Sequence, residues 1–211
     1  MILPHINQSM LMAGSKLEEA RAAVILLHGR GSSAQDILTL AAELSRAGFV
    51  FVAPQAEGYT WYPNRFTAPI EQNEPYLSGA LALVRKTVQH LQQMCVPISK
   101  IFIGGFSQGA CLAAEYVIQN PDRYGGLLIF SGGYIGPLTI QRQPVGDLHG
   151  MPVFLGCSDS DPHIPLQRVK ETTALFRSMG AQVKEKIYPN MGHTIIDEEM
   201  VIARELLAEN S

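Results

Sequence analysis

The chain has 211 residues, 46% hydrophobic and 17% charged, a composition that suits a single folded domain over residues 1–211 and excludes a disordered chain. Its 16 basic and 19 acidic residues give a net charge of −3, with no basic stripe to meet nucleic acid. Cys95, Cys111 and Cys157 lie far apart without C-x-x-C spacing, which argues against a disulfide framework or a zinc site and predicts a reducing, cytoplasmic setting.

The first segment, "MILPHINQSMLMAGSKLEEAR", lacks the basic and then apolar pattern of a secretory leader. Within it "SMLMAG" is a candidate antiparallel edge strand. "AVILL" (Ala23–Leu27) reads as a buried strand, followed by the glycine loop "HGRGSS" and a helical pattern that runs from Ala34 and stops at Gly48. "FVFVAP" (Phe49–Pro54) is a second strand, and the stretch from Gln55 to about Asn73 is an aromatic, proline-bearing loop too long for a plain connector. A helix is predicted over Glu74–Met94, with Pro75 in its first turn. "KIFIGG" is the next strand, and the helix after it ends near Asn120 and Pro121. Further strands are expected at Gly125–Gly133, Met151–Asp161 and Gln182–Pro189, with helices at Pro165–Gly180 and from Thr194 onward. Continuous apolar runs alternating with helices predict an α/β fold, a mostly parallel sheet covered on both faces. Chemistry in such sheets sits beyond the carboxyl ends of the strands. No run approaches the roughly 18 apolar residues of a membrane span, so no stable membrane insertion is expected.

"GFSQG", Gly105 to Gly109, matches G-x-S-x-G. The bare pattern is short enough to arise by chance. Its position between the strand "IFIGG" and the helix "ACLAAEYVIQ" gives it meaning, because a serine there occupies a sharp strand-to-helix turn that lifts its hydroxyl from the sheet. Ser107 is thus a candidate nucleophile, and a serine hydroxyl needs an adjacent base to react at neutral pH. The chain order Ser, Asp or Glu, His, each after a later strand, predicts where its partners stand. Of the six histidines only His193 follows the last strand and precedes the last helix. Asp159 and Asp161 both follow "PVFLG", and either can orient the imidazole. The loop after the first strand is placed to supply an oxyanion donor, so the backbone N–H groups of Arg30 and Gln108 form the expected pair.

Taken together, "LLHGRG", "GGFSQGA", "GCSDSDPHIP" and "YPNMGHTI" resemble the carboxylesterase/phospholipase family of small α/β-hydrolases, which includes acyl-protein thioesterases and lysophospholipases. The resemblance spans almost the whole chain. It implies the α/β-hydrolase fold, Ser107 as nucleophile, His193 as base, Asp161 as the acid, and Arg30 with Gln108 as oxyanion donors. It implies a hydrolase acting on small esters, thioesters or lysophospholipids without cofactor or metal. The chain departs from acyl-protein thioesterases in carrying Arg30 where they have a leucine-like residue. Its loop Glu57–Pro69 is more like that of the short-chain-esterase branch.

Trp61, the sole tryptophan, sits in that loop and is a candidate wall of the substrate pocket, or else an anchor of the loop to the body. Cys111 and Cys157 read as buried small apolar residues, and His163 as a solvated loop histidine. A nucleotide- or phosphate-binding α/β domain is the competing function, although neither glycine loop reads G-x-G-x-x-G or ends in G-K-[ST]. A non-catalytic binding module on the same fold is the other alternative. The sequence is compatible with a homodimer and with an alcohol, thiol or lysolipid leaving group.

Overall fold

The computed structural model describes residues 3–211. Among them the strands are β1 (Met10–Gly14), β2 (Ala22–Leu27), β3 (Phe49–Pro54), β4 (Ile101–Phe106), β5 (Gly126–Phe130), β6 (Pro152–Ser158) and β7 (Gln182–Tyr188). They form one seven-stranded sheet in the order β1-β3-β2-β4-β5-β6-β7. Only β1 is antiparallel, pairing with β3 at the edge, and the other neighbours are parallel. The central runs "AAVILL" and "FVFVAP" are buried at every position, as strands covered on both faces must be.

The helices divide between the two faces. Helices α3 (Tyr76–Gln93), α4 (Gln108–Gln119) and α5 (Leu166–Ser178) contribute Leu83, Leu112 and Phe176 to one core. The short α1 (Ala34–Ile37) and α2 (Thr39–Leu44) join α6 (Asp197–Glu209) over the other, where Ile37, Leu44 and Leu207 meet Phe51 and Phe102. After β2 the chain steps outward to β3, then crosses back over β2 to lay down β4. The reversal leaves a crevice beyond the carboxyl ends of β2 and β4, where an open α/β sheet binds its ligands.

Several boundaries differ from the sequence reading. The single helix expected up to Gly48 is two short ones, because the Thr39 hydroxyl takes the Asp36 carbonyl at 2.7 Å and the chain turns extended at Ser45. Pro75 precedes α3 instead of lying in its first turn, and Glu74 binds Ser78 N–H and Oγ at 3.1 and 2.8 Å. Strand β6 ends at Ser158, freeing the acidic segment as a loop, and α6 begins three residues later than predicted, at Asp197. The irregular stretch after β5 is held by charges inside the protein. Arg168, with no exposed surface, donates to the carbonyls of Tyr134, Gly136 and Pro137 at 2.8 Å each. Glu115 accepts from Ile135 N–H at 3.1 Å and pairs with Arg142 at 2.8 Å.

Candidate active site

Ser107 stands at the tip of β4 with φ 55° and ψ −116°, a conformation that L residues adopt only under restraint. The restraint is local: its N–H donates to the Phe130 carbonyl on β5 at 3.0 Å, and its carbonyl accepts from Cys111 N–H at 3.0 Å in α4. The turn also needs its glycines. A Cβ on Gly109 would run into the Leu27 and His28 carbonyls, and one on Gly105 would lie 2.6 Å from the Leu27 oxygen. Strands β2 and β4 therefore bring their following loops into contact only because these two positions lack side chains.

The loops after β6 and β7 meet over this turn. His193 Nε2 lies 2.8 Å from Ser107 Oγ, and His193 Nδ1 lies 2.7 Å from Asp161 Oδ2. The tautomer that satisfies both contacts carries its proton on Nδ1, donates it to Asp161 and leaves Nε2 to accept from the serine hydroxyl. Asp161 has no exposed side-chain surface, and its other oxygen accepts from His163 N–H at 2.8 Å and Ile164 N–H at 3.0 Å. Those two amides hold the carboxylate in one orientation. Asp159, the other candidate acid, points elsewhere: Oδ1 accepts from Asn190 N–H at 2.9 Å and ties the β6 loop to the β7 loop.

The imidazole is also clamped by rings, with Phe106 and His163 each 4.8 Å away between centroids. His163, read from sequence as a solvated loop histidine, is exposed yet lines the same cavity as Ser107. The Arg30 and Gln108 backbone N–H groups flank that cavity on its two loops, and among the described residues neither has an acceptor. Two free N–H groups, one at the start of α4, can receive a negatively charged oxygen.

The cavity has a volume of about 690 Å³, ample for a small ester or a short acyl chain. Its walls include Tyr62, Pro63 and Phe66 from the long loop, and Ile164 from the β6 loop. Cys111 also borders it, and burial pushes its thiol up to about 12, as it does the Cys157 thiol. Both cysteines are neutral near pH 7 and behave as small packing residues.

A family model described as Phospholipase/Carboxylesterase matches residues 10–211. The chain belongs to the phospholipase/carboxylesterase family. Acyl-protein thioesterase 1 of Saccharomyces cerevisiae is 29% identical over 213 residues, covering 90% of this chain and 93% of that protein. Acyl-protein thioesterase 1 of Eremothecium gossypii is 30% identical over 205 residues, with 86% and 84% covered. The crystal structure of a phospholipase/carboxylesterase from Dyadobacter fermentans superimposes with a TM-score of 0.91 at 37% identity, covering 99% of each chain. The fold is the α/β-hydrolase fold, and the chain is a hydrolase of a family that cleaves esters or thioesters.

For this member of the family, the structure favours one of the two readings of Trp61, the loop anchor. Trp61 is not a wall of the cavity. It is fully buried below the loop, where its Nε1–H donates to the His28 carbonyl at 2.8 Å and its ring packs between His28 and His5. Both histidines are held neutral by burial, which lowers their pKa values. His5 reaches in from the N-terminal segment, its ring nitrogens meeting the Trp61 carbonyl at 3.1 Å and Glu57 N–H at 2.9 Å. Tryptophan anchors the loop while Tyr62, Pro63 and Phe66 face the cavity.

The Gln108 side chain was not singled out from sequence, where only its backbone carried an argument. Oε1 accepts from Trp61 N–H at 2.9 Å and Thr60 Oγ1 at 3.2 Å, and Nε2 donates to the Tyr62 carbonyl at 2.8 Å. The residue after the serine thus stitches the long loop to the elbow. A glutamine beside a G-x-S-x-G serine carries no periodic signal, so only the folded contacts reveal this role.

Proposed function

We propose that this hydrolase works through an acyl-enzyme on Ser107, with His193 as base and acid, Asp161 as its orienting carboxylate, and the Arg30 and Gln108 N–H groups as the oxyanion site. The observation that carries the reading is the unbroken chain from Ser107 Oγ to His193 Nε2 at 2.8 Å and from His193 Nδ1 to Asp161 Oδ2 at 2.7 Å. Ser107 Oγ attacks the substrate carbonyl and its proton passes to Nε2. The negative oxygen of the tetrahedral intermediate accepts from the two backbone N–H groups, while Asp161 stabilises the imidazolium without taking its proton. Collapse breaks the bond to the alcohol or thiol, which leaves with the Nε2 proton. Water then gives a proton to Nε2, its oxygen bonds to the acyl carbon, and a second collapse releases the acid and restores the serine hydroxyl.

Ester and thioester leaving groups both suit this sequence of steps, and a cavity of about 690 Å³ has room for a small substrate. A fluorophosphonate probe should label a single serine in the folded protein. Labelling that persists in Ser107→Ala, or its absence in the wild type, would overturn the reading.

A further inference from the structure

The cavity over Ser107 carries charge of one sign. The chain has more acidic than basic residues, 19 against 16, yet among the described residues the cavity is lined by Arg30 and Arg65 and by no aspartate or glutamate. Asp36 borders an adjoining groove, its carboxylate engaged by Ser32 Oγ at 3.0 Å and Ser33 N–H at 2.9 Å. Asp161 lies beneath His193 with no exposed side-chain surface.

The two arginines are committed differently. Arg30 donates to the Pro63 and Asn64 carbonyls at 2.8 and 2.5 Å, so its guanidinium is a strap across the loop. Arg65 is exposed, and among the described residues its guanidinium has neither an acidic partner nor a hydrogen-bond acceptor. Its backbone is fixed all the same. The Arg65 carbonyl accepts from Ala68 N–H at 3.0 Å and Asn73 Nδ2 at 3.2 Å, while Asn73 Oδ1 takes the Asn64 N–H at 2.9 Å. Asn73 itself is fully buried. An unengaged guanidinium on an anchored backbone offers an anion two parallel N–H donors, with only side-chain freedom to lose.

We propose that Arg65 is a specificity-determining residue that makes this cavity prefer esters or thioesters bearing a second, anionic group, a carboxylate or a phosphate. The proposal rests on the hydrolase reading above and names its substrate class. A cavity rimmed by cationic groups and free of carboxylates also draws such substrates from solution, an effect that salt weakens.

The test compares matched substrates. Wild type, Arg65→Gln and Arg65→Glu are assayed on ethyl hydrogen succinate against diethyl succinate, and on an acylglycerol phosphate against the corresponding acylglycerol. The wild type should favour the anionic member of at least one pair, and the responding pair tells carboxylate from phosphate. Arg65→Gln should lower that preference about fivefold or more and Arg65→Glu should reverse it. The wild-type preference should shrink between about 50 and about 500 mM NaCl. No anionic preference in either pair, or a preference unmoved by Arg65→Gln, overturns the proposal. A calorimetric titration of Ser107→Ala with both pairs needs no turnover. If none of the esters is cleaved the hydrolase reading fails, and binding of an anionic member that is lost in Ser107→Ala/Arg65→Gln still supports an anion site at Arg65, whereas equal binding of the charged and uncharged members in both pairs overturns it.

Discussion

The Gln108 side chain and the Trp61 backbone form a direct bond, Oε1 to N–H at 2.9 Å, across 47 residues of sequence. It joins the residue beside the serine to the loop that walls the cavity. In Gln108→Ala the backbone N–H proposed for the oxyanion survives, but Trp61 N–H and the Tyr62 carbonyl lose their partner in a buried place. We expect a stability loss of about 1–3 kcal/mol in urea denaturation. Because Tyr62, Pro63 and Phe66 wall the cavity, KM should rise more than kcat falls. An unchanged KM with a full loss of kcat would mean that the side chain acts on the chemistry and not on the loop.

The two aspartates of the β6 loop separate cleanly by their partners. Asp161→Asn removes the acceptor that fixes the His193 tautomer, and on the proposed mechanism kcat falls about 10⁴-fold. Asp159→Asn disturbs one loop hydrogen bond to Asn190, and its effect on kcat/KM should stay within about tenfold. Steady-state kinetics on any turned-over ester checks both. Comparable losses in the two variants would reassign the acid.

The strands and the elbow are legible in the sequence for a physical reason. A strand buried on both faces must be an unbroken apolar run, as Ala22–Leu27 and Phe49–Pro54 are, and a serine between such a strand and a helix has few conformations open to it. The places of His193 and Asp161 follow from the same logic, since loops beyond the strand ends converge on one crevice. What escapes the sequence is set by single contacts. Asp159 and Asp161 follow the same strand, so position alone leaves both open; the family resemblance implies Asp161, and the fold of the loop puts Asp161 against the imidazole. The break between α1 and α2 hangs on the Thr39 hydroxyl, which leaves the apolar spacing untouched. The stretch from Gln55 to Asn73 has no periodicity at all, so the burial of Trp61 depends on His5, His28 and Gln108 far along the chain, while the Arg65 backbone is held by Ala68 and Asn73 within the same stretch.

Glu199 gives the stability a pH dependence of defined sign. It is fully buried, Oε2 accepts from Ile196 N–H at 3.0 Å, and among the described residues Oε1 has no partner. Burial pushes its carboxyl up to about 7 from the ordinary 4.5, a direction the nearby Glu198 charge reinforces. A folded-state pKa above the unfolded one means that the folded protein holds the proton longer. The associated stability is therefore complete below about pH 4.5 and is lost as pH rises through about 7. Glu199→Gln keeps an acceptor for Ile196 N–H and cannot ionise. Its stability relative to wild type should rise between about pH 5 and about pH 8, by up to about 3 kcal/mol. Urea midpoints of the two proteins across that range read the difference directly, and a difference flat with pH would show that Glu199 does not titrate there.

Trp61 and Phe66 sit in one loop, and only Phe66 faces the cavity. Trp61→Phe removes the donor to the His28 carbonyl and should lower stability by about 1–3 kcal/mol. It leaves the cavity wall in place, so the order of preference across p-nitrophenyl esters of increasing acyl length should not change. Phe66→Ala removes wall instead and enlarges the cavity. The preference should move toward longer acyl chains, because a longer chain can refill the space the ring leaves and recover about 0.8 kcal/mol per buried methylene. A shifted preference in Trp61→Phe, with none in Phe66→Ala, would return the tryptophan to the substrate wall.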